Sequence, residues 1–387
     1  MKIARSLQSL KPSYIREILA AAKAPHMISL AGGLPAEDTF PMHILAPIMT
    51  QLARLPSLFQ YGPTQGYEPL LAYCDQHFAY QPTHTSLITT GSQQGLDLIA
   101  RAYLDAGDAI VMEAPSYLGA LQVFELAQAR ILPVTQTSTG PDLTQLEAYF
   151  AKHSPKLFYA VPDFHNPTGV CWSHTTREHV ATLCQRYGVV LLEDAPYREL
   201  RFSGEALPMV SEFCPEQAVV LRSFSKYVSP GMRVGVITGP ERFISPLITL
   251  KRAADLHSSV PMQALLLETL MHSDFPQHLQ AIRTLYQVRY QALTGALAEQ
   301  LPQCAATPID GGMFVWLTLP RCDVEQLAAH LLQQGVAVVP GSVFYPADVG
   351  APPCCAVRLN FTHAEPDTLV EGVSRIAAVM SGLELVS

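Results

Sequence analysis

The chain has 387 residues, 49% hydrophobic and 15% charged, and its 25 basic and 33 acidic residues give a net charge of −8. This length predicts two or three domains, and the acidic balance argues against nucleic acids or anionic membranes as partners. No apolar run approaches membrane-spanning length, and the cysteines and histidines include no C-x-x-C or H-E-x-x-H pair, so we expect no membrane span and no metal. Reduced thiols and the lack of an N-terminal signal segment predict a cytoplasmic location.

The first forty residues predict a short helix and an extended arm. Ser13 is placed to cap an amphipathic helix, on which Arg16 is most simply explained as a solvated side chain. The apolar segment 28–35 (ISLAGGLP) follows and contains Gly33. Glycine there allows a turn or a close approach of the backbone to a ligand, and the local sequence favours the turn. We expect residues 1–40 to pack on the smaller of two domains.

A turn-rich loop at residues 61–67 (YGPTQGY) precedes a predicted strand at residues 86–90. The strand runs through a Gly-Ser turn, with Ser92 and Gln93, into a predicted helix. A helix N-terminus at such a turn can bind an anion, because its first N–H groups point outward. The local sequence alone is explained as well by Ser92 acting as a helix N-cap.

Strands and helices then alternate. Apolar, β-branched runs predict buried strands at residues 109–112, 157–161, 189–192 and 218–221. This order predicts an α/β fold with a mainly parallel sheet covered by helices on both faces. Ligands bind at the carboxyl ends of the strands in such sheets. The polar residues at those ends are Tyr117, Asn166, Asp194, Tyr197 and Lys226.

Lys226 closes the sequence Ser223-Phe224-Ser225-Lys226, and Arg233 follows seven residues later. Taken alone, a lysine is more simply explained as a surface residue, since lysine is almost never fully buried without a partner. The other polar residues at the strand ends make a functional role the better explanation.

Beyond residue 240 the pattern changes. A helical region at residues 258–301 is followed by half-buried strands at 311–317 and 356–361, with a helix between them. This predicts a large domain of residues 41–285 and a small α+β domain of residues 286–387.

A pyridoxal phosphate site needs a lysine for a Schiff base, a carboxylate for the pyridine nitrogen, donors to the ring oxygen and an anion cradle. Asp194 suits the nitrogen, and Asn166 and Tyr197 suit the oxygen. Candidate cradle residues are Ser92, Gln93, Ser223, Ser225 and Arg233. The guanidinium of Arg233 offers phosphate a bidentate contact.

Two more residues complete this hypothesis. Tyr117 could stack on the ring, and Arg358 could bind a substrate carboxylate through both of its terminal nitrogens. Each has a simpler explanation that stays open at this point: Asp194 as a helix N-cap, Arg358 in a surface ion pair and Tyr117 in the core.

The whole chain resembles the fold-type I pyridoxal-phosphate aminotransferases of class I/II, and more narrowly their 2-aminoadipate/kynurenine branch. Nine motifs carry the resemblance, in the family's order: residues 28–35 (ISLAGGLP), 61–67 (YGPTQGY), 89–95 (TTGSQQG), 113–119 (EAPSYLG), 166–169 (NPTG), 193–197 (EDAPY), 223–226 (SFSK) with Arg233, 311–316 (GGMFVW) and 358–361 (RLNF). The resemblance implies the aspartate-aminotransferase-like fold, with seven strands in the large sheet, and pyridoxal 5′-phosphate as cofactor.

The resemblance also implies a role for each matching residue. Lys226 would form the Schiff base and then move the proton between Cα and C4′ of the cofactor. Tyr61 would reach the phosphate of the neighbouring subunit, which makes a homodimer necessary for the site. Arg358 would bind the α-carboxylate near Gly33 and Asn166. Arg16 would meet a distal acidic group of the substrate.

Two departures from the family pattern concern the substrate. Asp163 stands where relatives carry a neutral residue, and a carboxylate there would disfavour acidic substrates if it faces the site. Ala195 and Pro196 replace a more usual acidic and small pair.

We therefore expect ping-pong transamination between an L-amino acid and a 2-oxo acid such as 2-oxoglutarate. The donors would include 2-aminoadipate, aromatic or branched-chain amino acids. A pyridoxal-phosphate β-lyase stays open, because a lysine site alone does not fix which bond at Cα breaks. An effector-sensing regulator domain fits less well, because only about thirty residues precede the first motif and there is no basic surface to bind DNA.

Overall fold

A computed structural model describes residues 2–8, 18, 24, 26–79, 81–346 and 355–382, and all structural statements concern these residues. Arg16 and the helix expected after Ser13 lie outside them. The strands are β1 Ile28–Ser29, β2 His84–Thr89, β3 Ala109–Ala114, β4 Arg130–Thr137, β5 Gly140–Pro141, β6 Leu157–Ala160, β7 Val190–Asp194, β8 Ala218–Ser223, β9 Gly235–Pro240, β10 Ala305–Ala306, β11 Phe314–Thr318, β12 Val336–Ala337, β13 Val339–Pro340 and β14 Ala356–Asn360.

The α-helices vary from one turn to seven turns in length. They are α1 Arg5–Gln8, α2 Met42–Leu52, α3 Glu68–Phe78, α4 Ser92–Tyr103, α5 Leu118–Leu126, α6 Leu143–His153, α7 His174–Tyr187, α8 Val210–Phe213, α9 Glu241–Asp255, α10 Val260–Leu270, α11 Phe275–Gln300, α12 Val324–Gln333 and α13 Pro366–Gly382. None of these helices is long and apolar enough to cross a membrane.

The large sheet confirms the predicted α/β class. Its strand order is β2-β9-β8-β7-β6-β3-β4-β5. Strands β3, β4, β6, β7 and β8 are parallel, and β9 is antiparallel to both of its neighbours. The sheet has eight strands rather than the seven expected, because the two residues of β5 form a short hairpin with β4 at the edge.

Both faces of this sheet are buried, as the near-continuous apolar strands predicted. In β6, Leu157 and Tyr159 pack into the core on one face, while Phe158 and Ala160 pack into the core on the other. Each fully buried large apolar side chain contributes about 1.5–3 kcal/mol to folding. Successive side chains in a strand point to opposite faces of the sheet. Each face therefore carries half of these apolar side chains, and both faces need covering helices.

A second, antiparallel sheet lies in the C-terminal part, with strand order β10-β11-β14-β13. β1 pairs in parallel with β12 in a separate two-stranded sheet. The segment after β1 contacts the four-stranded sheet, since the N–H of Asn360 in β14 donates to the carbonyl of Leu30 at 2.7 Å. The predicted helical region 258–301 is two helices, α10 and α11. The predicted domain boundary at 285/286 falls within α11, which continues through it, and the division into domains stays a prediction.

Candidate active site

A cavity of about 270 Å³ lies at the carboxyl ends of β6, β7 and β8, beside the first turn of α4. Most of the residues that the sequence singled out line it together: Gly33, Ser92, Gln93, Tyr117, Asn166, Asp194, Tyr197, Ser223, Ser225, Lys226, Arg233 and Arg358. Tyr61 does not line the cavity, and its side chain is 80% exposed. Parallel strands that end at one edge explain this convergence of residues from distant parts of the chain.

Lys226 follows β8 and is directed across the cavity to the N-terminal arm. Its Nζ donates a hydrogen bond of 2.9 Å to the carbonyl of Gly33. Burial, together with the positive charges of Arg358 and Arg233, lowers the pKa of Lys226 to about 8. The neutral amine, which is the nucleophilic form, is thus populated near neutral pH.

Asp194 is the last residue of β7 and is 2% exposed. Its Oδ2 accepts a hydrogen bond of 2.9 Å from the hydroxyl of Tyr159, whereas Oδ1 is buried with no partner among the described residues. Burial raises the pKa of Asp194 and the hydrogen bond from Tyr159 lowers it, and together they place it at about 7. A buried carboxylate oxygen without a donor fits a protonated ring nitrogen as its partner.

The expected anion cradle lies where α4 begins. Gly91 precedes the helix with φ of +79°, and Arg233 lies beside it with φ of +52°. The guanidinium of Arg233 donates to the carbonyl of Thr90 at 3.2 Å. A side chain at Gly91 would come within 2.5 Å of this guanidinium, so glycine is needed for the close approach. The first N–H groups of α4 lack partners within the helix, and with Arg233 they suit a phosphate group.

Arg358, Asn166 and Tyr197 form a buried chain of hydrogen bonds on the opposite side. Arg358 donates from Nη1 to Oδ1 of Asn166 at 2.8 Å, and the Asn166 amide donates to the hydroxyl of Tyr197 at 3.3 Å. Arg358 lies 4.2 Å above the ring of Phe314. It is 3% exposed and pairs with no carboxylate in the described part of the chain, so the surface ion pair considered for it is wrong.

Tyr117 and Gln93 lie together on the cavity wall. The hydroxyl of Tyr117 donates to Oε1 of Gln93 at 3.2 Å, and the Gln93 amide donates to the carbonyl of Gly119 at 3.1 Å. Burial raises the pKa of Tyr117 to about 12, so its hydroxyl stays protonated.

Asp163 does not line the cavity. It is 2% exposed and forms ion pairs with Arg177 at 2.7 Å and Arg198 at 3.0 Å. Burial alone would raise the pKa of Asp163, but the two arginines lower it below its ordinary value. Asp163 was expected to disfavour acidic substrates only if its carboxylate faced the site. It does not face the cavity, so this effect is not expected.

Several lining residues were not predicted: Tyr159, Val161, Pro196, Pro230 and Phe314. Phe314 lies in the GGMFVW motif, and Pro196 was noted only as a departure from the family. Among these residues, Tyr159 forms a side-chain hydrogen bond, to Asp194. It was not predicted because it lies within an apolar strand. No group of three or more His, Cys, Asp or Glu residues that could hold a metal ion occurs in the described ranges.

The fold and this cavity define a fold-type I pyridoxal-phosphate enzyme. The sequence model for "Aminotransferase class I and II" matches residues 25–376. The chain belongs to the class I and II aminotransferase family, and it is a pyridoxal-phosphate-dependent aminotransferase.

Similar proteins agree with this assignment. The chain is 36% identical to the 2-aminoadipate transaminase of Thermus thermophilus, over 97% of this chain and 95% of that protein. It is 35% identical to the aromatic-amino-acid aminotransferase 1 of Thermococcus litoralis, over 95% and 91%. The crystal structure of alpha-aminoadipate aminotransferase from Thermus thermophilus, complexed with N-(5′-phosphopyridoxyl)-L-leucine, superposes with a TM-score of 0.91 at 34% identity, over 98% and 97%.

Proposed function

We propose that this aminotransferase moves the amino group of an L-amino acid to a 2-oxo acid, with 2-oxoglutarate as acceptor, in a ping-pong reaction. The observation that carries the proposal is the placement of Lys226, Asp194 and Arg358 around one cavity. Lysine is the group that attaches the cofactor, the carboxylate suits its ring nitrogen, and the buried guanidinium suits a substrate carboxylate.

Each residue of the cavity would have a separate task. When bound, pyridoxal phosphate supplies an electron sink for the charge left at Cα. Asp194 would keep a proton on the ring nitrogen, and Asn166 and Tyr197 would donate to the ring oxygen. Lys226 would attach the cofactor and then take the proton from Cα of the substrate, for which its lowered pKa of about 8 is well suited.

The phosphate would be held at the first turn of α4. Ser92, Gln93 and Arg233 would contact it there, with Ser223 and Ser225 from the segment that carries Lys226. Tyr117 would stack on the ring. The two arginines of the cavity would thus bind different anions. Arg233 would bind the phosphate, and Arg358 would bind the α-carboxylate near Gly33.

The donors would be 2-aminoadipate, aromatic and branched-chain amino acids. The relatives act on 2-aminoadipate and aromatic amino acids by name, and the bound ligand of the solved relative carries a leucine. Arg16, which lies outside the described residues, stays a prediction for the distal acidic group of 2-aminoadipate.

A half-reaction screen tests the proposal. Each amino acid is added to the enzyme without an acceptor, and the 2-oxo acid and ammonia are measured. Transamination releases one equivalent of 2-oxo acid per site and no ammonia. Cysteine, which carries a leaving group on Cβ, is included in the screen. Its repeated turnover without acceptor to sulfide, pyruvate and ammonia would instead identify a β-lyase. Lys226→Ala should lose the adduct that borohydride fixes, and an adduct on another lysine would contradict the site.

We also propose a homodimer with shared active sites in the cytoplasm. Large apolar side chains are exposed near Tyr61, among them Leu55, Phe59 and Leu256, each at least 49% exposed. Patches of this kind mark interfaces between proteins. Tyr61 would act in the partner's site.

Mixed dimers test the shared site. Lys226→Ala and Tyr61→Ala subunits are each expected to give weakly active homodimers. A heterodimer of the two regains one complete site if Tyr61 acts across the interface. It regains none if Tyr61 acts within its own subunit.

A further inference from the structure

Lys251 is a completely buried lysine of α9 that no step of the proposed reaction uses. Its Nζ contacts both carboxylate oxygens of Asp255 at 2.8 and 2.9 Å, Oε1 of Gln94 at 3.0 Å and Oγ of Ser258 at 3.1 Å. Burying a lysine is costly unless it is paired and hydrogen-bonded. Here every contact is made to a group near the first turn of α4.

The partners of Lys251 hold the turn that precedes α4. Oε1 of Gln94 also accepts from the N–H of Thr90 at 2.8 Å, and the Gln94 amide donates to Asp255 at 2.6 Å. The Thr90 hydroxyl lies 3.0 Å from that of Ser258. The carbonyl of Thr90 in turn accepts from Arg233. Lys251 therefore contacts the first turn of α4 directly at Gln94, and it is linked to Arg233 through Gln94 and Thr90.

The same network continues to the loop that carries Tyr61. The carbonyl of Ser258 lies 2.9 Å from Nδ1 of His257, and Nε2 of His257 accepts from the Gly62 N–H at 3.3 Å. The rings of His257 and Tyr61 meet edge to face at 5.9 Å between centroids. The turn at Thr90 and the loop at Tyr61 are thus both connected to the buried residue Ser258.

We propose that Lys251 is a positioning residue for the phosphate site, because it fixes the Thr90–Gln94 turn and joins this turn to the Tyr61 loop. The inference rests on the proposed function, since it takes this turn as the place where the cofactor phosphate binds. Loss of Lys251 frees Gln94 and Thr90 to move, and the N–H groups of α4 and the guanidinium of Arg233 then lose their common orientation.

Two probes separate this role from a general structural one. Apoenzyme is titrated with pyridoxal phosphate and with pyridoxal, which lacks the phosphate, and the two Kd values are compared. Lys251→Met should raise the Kd for pyridoxal phosphate by about tenfold, as for the loss of a hydrogen bond to a charged group. The Kd for pyridoxal should stay unchanged. An equal rise in both constants, or no rise in either, would overturn the inference.

Lys156→Met is the matched control. Lys156 pairs with Asp108 at 2.6 Å beside the amino ends of β6 and β3, away from the cavity at the carboxyl ends, and its replacement should change neither constant. Ser258→Ala, a smaller change within the network, serves if Lys251→Met fails to fold, and it should shift only the constant for pyridoxal phosphate. If wild-type apoenzyme binds pyridoxal phosphate and pyridoxal with equal Kd values, the turn before α4 does not bind the cofactor phosphate. That result would refute both the proposed phosphate site and the role of Lys251.

Discussion

The hydroxyl of Tyr159 donates to Oδ2 of Asp194 at 2.9 Å, while Oδ1 of the same carboxylate has no partner in the described part of the chain. One oxygen is therefore fixed by the protein, and the other is left for a donor that enters the cavity. The hydrogen bond also opposes the effect of burial, and together they place the pKa of Asp194 at about 7. Tyr159 thus favours the ionised form that a protonated ring nitrogen needs.

Tyr159→Phe should weaken binding of pyridoxal phosphate to the apoenzyme by about tenfold, since a hydrogen bond to a charged group contributes roughly 1.5–3 kcal/mol. Titration followed by absorbance measures the Kd. Tyr103→Phe is the control, because that hydroxyl donates to the carbonyl of Phe243 at 2.6 Å, outside the cavity. Equal Kd values for the two variants would contradict a role of Tyr159 in the site.

The sequence predicted the parts of the site that follow from strand order. Asn166, Asp194 and Lys226 each follow the end of an apolar run within five residues, and parallel strands bring their carboxyl ends to one side of the sheet. The side-chain identities then suggested the cofactor. No long-range pairing had to be known for this step.

What the sequence did not predict depends on contacts between distant segments. Tyr159 lies in an apolar run whose two faces are both buried, so its polar hydroxyl gave no signal of its own. Lys251 and Asp255 look like an ordinary i, i+4 pair on a helix surface. Strand β4 contains Pro133 and is half-exposed near the sheet edge, so neither the apolar run nor a clear alternation was present.

The pH dependence of cofactor capture should reveal the lowered pKa of Lys226. With a pKa of about 8 rather than 10.5, the neutral fraction at pH 7 is about 300-fold larger, because each pH unit is a factor of ten. The rate of pyridoxal phosphate uptake by apoenzyme is divided by that of a free lysine derivative to remove the ionisations of the cofactor. This normalised rate should stay constant below about pH 8 and then fall about tenfold per pH unit up to about pH 10, because Lys226 is then neutral while the free amine is still losing its proton. The fall begins at the midpoint of the Lys226 titration. Arg358→Gln should move this midpoint upward, since Arg358 lowers the pKa. A normalised rate that stays constant up to about pH 10 would mean that the pKa of Lys226 is not lowered, and it would contradict the prediction.

Gly91→Ala should damage the phosphate cradle specifically. The added Cβ would lie 2.5 Å from Nη2 of Arg233, and φ is +79°. Gly107→Ala is a matched control, because φ is +91° there and the Cβ would meet nothing within 4 Å. Both variants should lose about 1–3 kcal/mol of stability through backbone strain. Only Gly91→Ala should raise the Kd for pyridoxal phosphate relative to pyridoxal, and a similar rise for Gly107→Ala would rule out displacement of Arg233 as the cause.

Asp163→Asn should lower stability without changing substrate preference. Asp163 lies between Arg177 and Arg198, and removing its charge leaves the completely buried Arg177 without an ionic partner among the described residues, at a cost of about 3 kcal/mol. Asp97→Asn, at an exposed pair with Arg101, should cost less than about 1 kcal/mol. Denaturant unfolding measures both losses, and kcat/KM for 2-aminoadipate and for phenylalanine gives the preference. Since the carboxylate does not line the cavity, a gain for the acidic donor in Asp163→Asn would mean that Asp163 acts on the substrate after all.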